Sequence, residues 1–160
     1  MKGMAQLLRE HPFFSGLDED YLELLAGCGE NRIYNTGDYI ARENDPADHF
    51  FVIRDGQVAV ESYLPNYGAL CLQTLHKGDI FGWSWLFPPY LWTFDARAMN
   101  EVHVICLNGK CLREKCKTDP KMGYELMQRF ARIITDRLHA TRMQLMDVYS
   151  PQPPPLERSR

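Results

Sequence analysis

The sequence has no run of about eighteen consecutive apolar residues, the length that a helix needs to cross a membrane. Its N-terminal stretch, MKGMAQLLREHPFF, is too polar for a secretory signal and contains no small-residue cleavage site. The sequence therefore predicts neither a membrane span nor export, and the cytoplasm is the expected location.

A strong excess of charge of either sign is also lacking. The chain carries 18 Lys and Arg residues against 21 Asp and Glu residues, which gives a formal net charge of −3. Domains that bind nucleic acid usually concentrate positive charge on one face. This balance therefore gives no indication that nucleic acid is a partner.

Signatures of common enzymes are missing as well. The chain has no G-x-S-x-G, P-loop, protein-kinase or H-E-x-x-H motif, and none of its five histidines has another histidine four residues away. We therefore expect a protein that is not an enzyme and that has no cofactor and no metal.

The cysteines are few and odd in number: Cys28, Cys71, Cys106, Cys111 and Cys116. An odd count without a secretory signal argues against a disulfide framework, so the sequence predicts reduced thiols. The last three fall every five residues, a spacing that matches neither zinc-binding pairs nor common iron–sulfur patterns. We expect buried or incidental thiols.

What the chain does have is a clear order of local patterns. Leu7–Pro12 has a short helical pattern, and LDEDYLELLAG predicts a helix from Asp18 to about Ala26. From residue 28 to 107, short β-prone runs alternate with turn signals, which is typical of a barrel, roll or sandwich. The predicted strands are Glu30–Tyr34, Tyr39–Ala41, His49–Arg54, Gln57–Tyr63, Leu70–Leu75, Ile80–Phe81, Asp95–Ala98 and Val102–Leu107.

After residue 107 the pattern becomes helical. A short helix is predicted at Lys110–Lys117, and a long one follows, with Asp119 as N-cap and Pro120 in its first position. Its apolar stripe consists of Met127, Phe130, Ile134, Leu138, Leu145 and Val148, together with Thr141. So long a helix either lies across the sheet or pairs with a second copy. Residues 151–160 are proline-rich, and we expect them to be extended or disordered.

The stretches HPFFSGLDEDYLELLAG, YNTGDYIARENDPADHFFVIRDGQVAV and LHKGDIFG, in this order of elements, resemble the cyclic-nucleotide-binding domain family. That family includes the effector domain of the catabolite activator protein and the regulatory subunits of cyclic-AMP-dependent kinase. The resemblance implies an α+β fold: an eight-stranded antiparallel β-roll, jelly-roll-like, with N-terminal helices and a long C-terminal helix. Residues 1–150 would form the domain, with the roll at 28–107 and the C-terminal helices at 110–148.

The segment GDIFGWSWLFPPYLWTFDARA, residues 78–98, departs from the family pattern. In the family, a Glu directly after the last Gly of KGDIFG holds the ribose, and an Arg about ten residues later pairs with the phosphate. Trp83 stands here at the Glu position and Trp92 at the Arg position. A charge-assisted hydrogen bond contributes roughly 1.5–3 kcal/mol, so the Arg alone accounts for about tenfold to a hundredfold in affinity. The expected ligand is therefore not a standard cyclic nucleotide.

The candidate ligand-binding residues are Leu72, Gln73, Phe81, Gly82, Trp83, Ser84, Trp85, Trp92, Thr93, Arg97 and Thr141. Arg97 either pairs with Asp95 on the same strand face or replaces the missing cation. Thr141 sits where the long helix of the family touches the base of the ligand. The seven aromatic residues of the segment either surround a flat or apolar ligand or fill the pocket themselves.

The predicted function is that of a non-enzymatic regulatory module that senses a small molecule. One alternative is a ligand-free protein-interaction module with a filled pocket, and a second is a regulator that binds cyclic AMP or cyclic GMP. A homodimer through residues 122–148 is expected, together with an unknown protein partner, because this helix forms the dimer seam in bacterial transcription factors of the family. About twelve residues follow that helix here, so DNA binding ranks last.

Overall fold

The computed structural model describes residues 1–150, and the predicted disorder of the proline-rich tail lies outside them. The chain divides into two compact units, Met1–Glu125 and Leu126–Arg160. The first unit holds both sheets, the helices that precede the last one, and the start of the last helix. Within residues 1–150, the second unit holds the remainder of the last helix.

The N-terminal region is helical. Helix α1 spans Met4–Glu10, a 3-10 helix follows at Pro12–Phe14, and helix α2 spans Glu19–Ala26. The first helix starts and ends earlier than its pattern suggested, because the chain turns at His11 and Pro12 begins the 3-10 helix. The second agrees with the prediction, with Asp18 at its N-cap and acidic residues in its first turn.

Eight strands form two four-stranded antiparallel sheets, which confirms the predicted roll. The strands are β1 Gly29–Tyr34, β2 Tyr39–Ala41, β3 His49–Asp55, β4 Val58–Leu64, β5 Gly68–Leu75, β6 Ile80–Phe81, β7 Asp95–Ala98 and β8 Val102–Asn108. The first sheet has the order β1-β8-β3-β6, and the second has the order β2-β7-β4-β5. Their inner faces supply the apolar core.

The turn between β3 and β4 shows why a glycine is required there. Gly56 has φ +92°, and a Cβ on it would lie 2.4 Å from the carbonyl oxygen of Glu101. Asp55-Gly56 between two β-prone runs predicts a β-hairpin, and that prediction is wrong, because β3 and β4 lie in different sheets and do not pair with each other. Gly56 instead makes the turn from one sheet to the other, and no other residue fits there without moving the backbone.

Two helices follow β8: α3 at Gly109–Thr118 and α4 at Pro120–Tyr149. The Asn108 side chain caps α3 by accepting from the N–H of Cys111, and Asp119 accepts from the N–H of Met122 at the start of α4. Both predicted helices are confirmed. Within residues 1–150, no helix is long and apolar enough to cross a membrane.

One prediction about the cysteines is wrong, because Cys28 and Cys111 form a disulfide. Cys28 lies just before β1 and Cys111 lies in the first turn of α3, directly after β8. Since β1 and β8 are neighbours, two residues 83 positions apart in sequence lie side by side. Cys71, Cys106 and Cys116 remain free thiols, as expected.

Candidate functional site

The candidate site is built by the connection between β6 and β7. Gly82, with φ +89°, turns the chain at the end of β6, and Trp83 begins a 3-10 helix at Ser84–Leu86. Ser84 and Trp83 are half-buried in this turn.

Trp92 is held inside the roll by the loop between β2 and β3. Its backbone N–H donates to the carbonyl oxygen of Asp45 (2.9 Å), and its own carbonyl accepts from the N–H of Asn44 (2.8 Å). With the backbone fixed in this way, the indole points into the core and only 5% of the residue is exposed.

Three other aromatic rings surround this indole. Ring centroids of Phe51, Phe94 and Phe81 lie 6.0, 5.8 and 6.5 Å from that of Trp92. A Cβ placed on Gly82 would fall 2.5 Å from Cη2 of Trp92, so the indole lies directly against the glycine backbone. The space beside Gly82, the last Gly of KGDIFG, is therefore filled by a side chain of the protein itself.

The rest of the aromatic segment is anchored on α3. Trp85 is fully buried, and a Cβ on Gly109 would fall 2.7 Å from its Cβ. Arg113 donates from Nη1 to the carbonyl oxygen of Trp85 (2.5 Å), and its guanidinium lies 4.4 Å from the ring centroid of Tyr90. Trp85 and Tyr90 therefore attach the β6–β7 connection to the first turns of α3.

Arg97 is engaged in an ion pair. It donates from Nε to Oε1 of Glu61 (2.8 Å) and from Nη2 to Oε2 (3.2 Å), and only 4% of Glu61 is exposed. The expected pair with Asp95 is wrong: Asp95 accepts instead from the backbone N–H of Glu43 (2.8 Å). Asp95 lies directly opposite Glu61 in the ladder, so Arg97 reaches the same carboxylate diagonally.

The remaining predicted residues are more scattered. Leu72 is exposed on the edge strand β5, and Gln73 is half-buried opposite Val60. Thr93 is exposed beside the buried Trp92. Thr141 belongs to the second unit, where its hydroxyl donates to the carbonyl oxygen of Arg137 (2.8 Å). Of the predicted set, Phe81, Gly82 and Trp92 are brought into one cluster.

A cleft that the sequence did not indicate lies beside Trp92, between residues of β1, β2 and β3. It has a volume of about 390 Å³ and is lined by Arg32, Tyr39, Ile40, Ala41, Arg42, Asp45, Pro46, Asp48, His49, Phe51 and Trp92. The guanidinium of Arg42 lies 3.9 Å from the ring centroid of Tyr39. Burial and, to a smaller extent, the charge of Arg32 lower the pKa of His49.

Comparison with known proteins identifies similarities over most of the chain. Residues 31–119 match the sequence profile of the cyclic nucleotide-binding domain. The chain is 31% identical to the cyclic nucleotide-gated ion channel 18 of Arabidopsis thaliana over 119 residues, which are 67% of this chain and 17% of the channel. It is 23% identical to the CRP-like cAMP-activated global transcriptional regulator of Mycobacterium tuberculosis, over 91% of this chain and 63% of the regulator. The chain thus spans less than two thirds of these relatives.

Solved structures share the same architecture. A cyclic nucleotide-binding protein from Geobacter metallireducens superposes with a TM-score of 0.74 at 32% identity, covering 87% of this chain and all of that one. The regulatory subunit of a cAMP-independent protein kinase A from Trypanosoma brucei superposes with a TM-score of 0.70 at 22% identity, covering 88% of this chain and 49% of that one. The second likeness concerns the fold alone.

Proposed function

Because the chain belongs to the cyclic nucleotide-binding domain family, a family of regulatory domains, we propose that it is a non-enzymatic regulatory module whose family site does not take cyclic AMP or cyclic GMP. One observation carries this proposal. The indole of Trp92 fills the space beside Gly82 and is 5% exposed. It stands where the family resemblance implies the arginine that pairs with the phosphate.

Two costs oppose a cyclic nucleotide at this position. Loss of the charge-assisted bond from the family arginine removes roughly 1.5–3 kcal/mol of binding free energy. Moving a buried indole out of the aromatic cluster costs on the order of another 1.5–3 kcal/mol of apolar burial. Together they weaken binding by roughly a hundredfold to ten-thousandfold. Within residues 1–150, Arg97 forms its ion pair with Glu61, so using it as a replacement cation would break that pair.

The filled site favours an interaction module that works without a ligand in this position. Its rings pack against neighbouring parts of the protein. Trp92 packs against Phe51 and Phe81, and Trp85 packs against the start of α3. The trypanosome regulatory subunit named above has the same fold and belongs to a cAMP-independent kinase. The module would then act through its outer surfaces on a protein partner.

A second candidate function, the sensing of a small molecule, is favoured by the cleft beside Trp92. Two arginines, Arg32 and Arg42, and the half-buried His49 line it together with the aromatic rings of Tyr39 and Trp92. Flat ligands match the stacking surface of this lining. Asp45 and Asp48 balance the charge of the two arginines, so an acidic group of the ligand would have to pair with Arg32 or Arg42 directly. The ligand would enter between β1, β2 and β3 and would leave Gly82 covered.

Homodimer formation through α4 is part of the proposal. In the part of this helix that belongs to the second unit, Leu138, Leu145 and Val148 are 60%, 56% and 76% exposed. They follow one another at helical spacing and form an apolar stripe. A second copy of the helix is the occupant that the family resemblance implies for such a stripe.

The cytoplasm remains the proposed location. In a reducing cytosol Cys28 and Cys111 would be thiols, since disulfides persist mainly in oxidising compartments. Alkylation of thiols before cell lysis, followed by mass spectrometry, distinguishes the two states. An intact disulfide in the cell would contradict a cytoplasmic location.

The proposed function is tested by thermal unfolding with and without cyclic AMP or cyclic GMP. A ligand present at about one hundred times its Kd stabilises the folded state by about 2.7 kcal/mol and raises the Tm by several degrees. We expect no rise with either nucleotide at millimolar concentration. A clear rise with either one would overturn the proposal. The same assay with flat aromatic acids separates the sensor from the interaction module.

A further inference from the structure

Three side chains with metal-binding chemistry lie together on the first sheet. Glu30 belongs to β1, His49 to the start of β3 and Cys106 to β8, and one ligand atom of each lies within 4.8 Å of the others. Their placement follows from the strand register. Glu30 and Phe51 are both directly opposite Cys106, and His49 lies two residues before Phe51, so all three point to the same face.

A thiolate, an imidazole and a carboxylate are ligands that Zn²⁺ takes in proteins. Bond lengths of roughly 2.0–2.3 Å around a tetrahedral ion place neighbouring ligand atoms about 3–4 Å apart. Atoms already within 4.8 Å of one another reach that spacing through small side-chain rotations. The three strands are hydrogen-bonded neighbours, so the backbone beneath the cluster is fixed.

An open approach to the cluster exists. A cleft of about 370 Å³ is lined by all three residues and also by Arg32, Cys28 and Asn108. The ion could enter from this side, and a water molecule has room to complete its coordination. Cys106 itself is fully buried and closes the inner end, so solvent reaches the cluster from one direction.

We propose that Glu30, His49 and Cys106 bind one thiophilic divalent ion of the zinc class, with the fourth position open to the cleft. Binding joins the three strands β1, β8 and β3 and releases the thiol proton of Cys106 to solvent. The site lies in the first unit and does not depend on the function proposed above for Trp92.

Arg32 is the charge that opposes the ion. Its Nε donates to Oε1 of Glu30 (2.6 Å), and its second contact is with the same oxygen, so the ion would take Oε2. A positive charge this close weakens the attraction of the site for a cation. The substitution Arg32→Gln should therefore tighten metal binding by roughly tenfold. A site formed by chance elsewhere on the surface would not respond to this change.

Titration of the full chain with Co²⁺ tests the proposal, because a thiolate bound to Co²⁺ gives a charge-transfer band in the near ultraviolet. The protein is kept with the Cys28–Cys111 disulfide intact, so neither of these sulfurs can contribute. We expect one equivalent of Co²⁺ to bind, the band to appear, and one equivalent of Zn²⁺ to remove it. His49→Gln and Glu30→Gln should each weaken binding at least tenfold.

The matched control is Cys71→Ser, which removes an exposed thiol outside the cluster and should leave the titration unchanged. Cys106→Ser should abolish the band, with circular dichroism as the check on folding. The half-buried His49 and exposed Glu30 variants keep the test valid if the Cys106 variant does not fold. Absence of a band in the unmodified chain would overturn the proposal, as would loss of the band in Cys71→Ser or its persistence in both His49→Gln and Glu30→Gln.

Discussion

Arg97 holds both carboxylate oxygens of Glu61, at 2.8 and 3.2 Å, across two neighbouring strands of the second sheet. The Glu61 side chain is buried, and the Arg97 side chain is still 40% exposed. The pair therefore lies at the boundary between core and solvent. Arg97 therefore acts here as a structural partner that neutralises the buried carboxylate of Glu61.

Removal of that cation should destabilise the fold. The substitution Arg97→Ala leaves Glu61 buried without its bidentate partner, and we expect a loss of about 1–3 kcal/mol in the free energy of unfolding. Urea unfolding measures it. The double variant Arg97→Met with Glu61→Leu is the control and should recover most of the loss, since no charge remains buried. Unchanged stability in Arg97→Ala would show that the pair contributes nothing and that Arg97 is available to a ligand.

Reduction of the disulfide should also lower stability. The bond between Cys28 and Cys111 closes a loop with a sequence separation of 83 residues and restricts the unfolded chain. We expect Cys28→Ser with Cys111→Ser to reduce the free energy of unfolding by about 2–4 kcal/mol under non-reducing conditions. Reductant should have the same effect on the unmodified chain and little effect on the double variant. Equal stability of the two proteins without reductant would contradict the prediction.

His11 should make stability depend on pH. Its Nδ1 accepts from the N–H of Phe13 and its Nε2–H donates to the carbonyl oxygen of Ile53, so the buried ring is neutral. Burial lowers its pKa below the usual 6.5, although the Ile53 carbonyl and Asp79 act in the opposite direction. The unfolded chain therefore binds the proton first. The stabilising contribution is complete above about pH 6.5 and falls as the pH drops through the native pKa.

Urea unfolding at about pH 7.5 and about pH 5 measures this dependence. His11→Gln should lose part of the difference between the two pH values. His49 contributes with the same sign, because burial lowers its pKa too, so the comparison of the two proteins isolates His11. An identical difference in His11→Gln would contradict the assignment.

The exposed stripe on α4 predicts a dimer. Leu138→Lys with Leu145→Lys places two charges on the face that a second copy would cover. We expect the unmodified chain to elute as a dimer in size-exclusion chromatography with light scattering, and the variant as a monomer. Exposed Arg132→Gln is a matched change off the stripe and should leave the dimer intact. A monomeric unmodified chain would contradict the prediction.

Local patterns in the sequence predicted the elements correctly where short-range chemistry decides them. The turn at Gly56 depends on one positive φ, and the start of α4 depends on Asp119 and Pro120. Neither needs information from distant residues. The family resemblance then supplied the arrangement of the strands, which local patterns alone left open between barrel, roll and sandwich.

Contacts that depend on strand register could not be predicted. The Cys28–Cys111 disulfide requires β1 beside β8, and the Arg97–Glu61 pair requires β7 beside β4. Glu61 did carry a signal, since an acid stands in the middle of the apolar run VAVESYL. For Trp92, the sequence showed that a tryptophan replaces the arginine of the family pattern. Only the hydrogen bonds to the β2–β3 loop show that its ring points inward.

The central claim is that Trp92 closes the family site, and calorimetric titration with cyclic AMP and cyclic GMP tests it most directly. The measurement compares the unmodified chain with a double variant that carries Trp83→Glu and Trp92→Arg. This variant restores the Glu and the Arg of the family pattern. We predict no heat of binding for the unmodified chain and measurable binding for the double variant. Micromolar binding of either nucleotide by the unmodified chain would contradict the account.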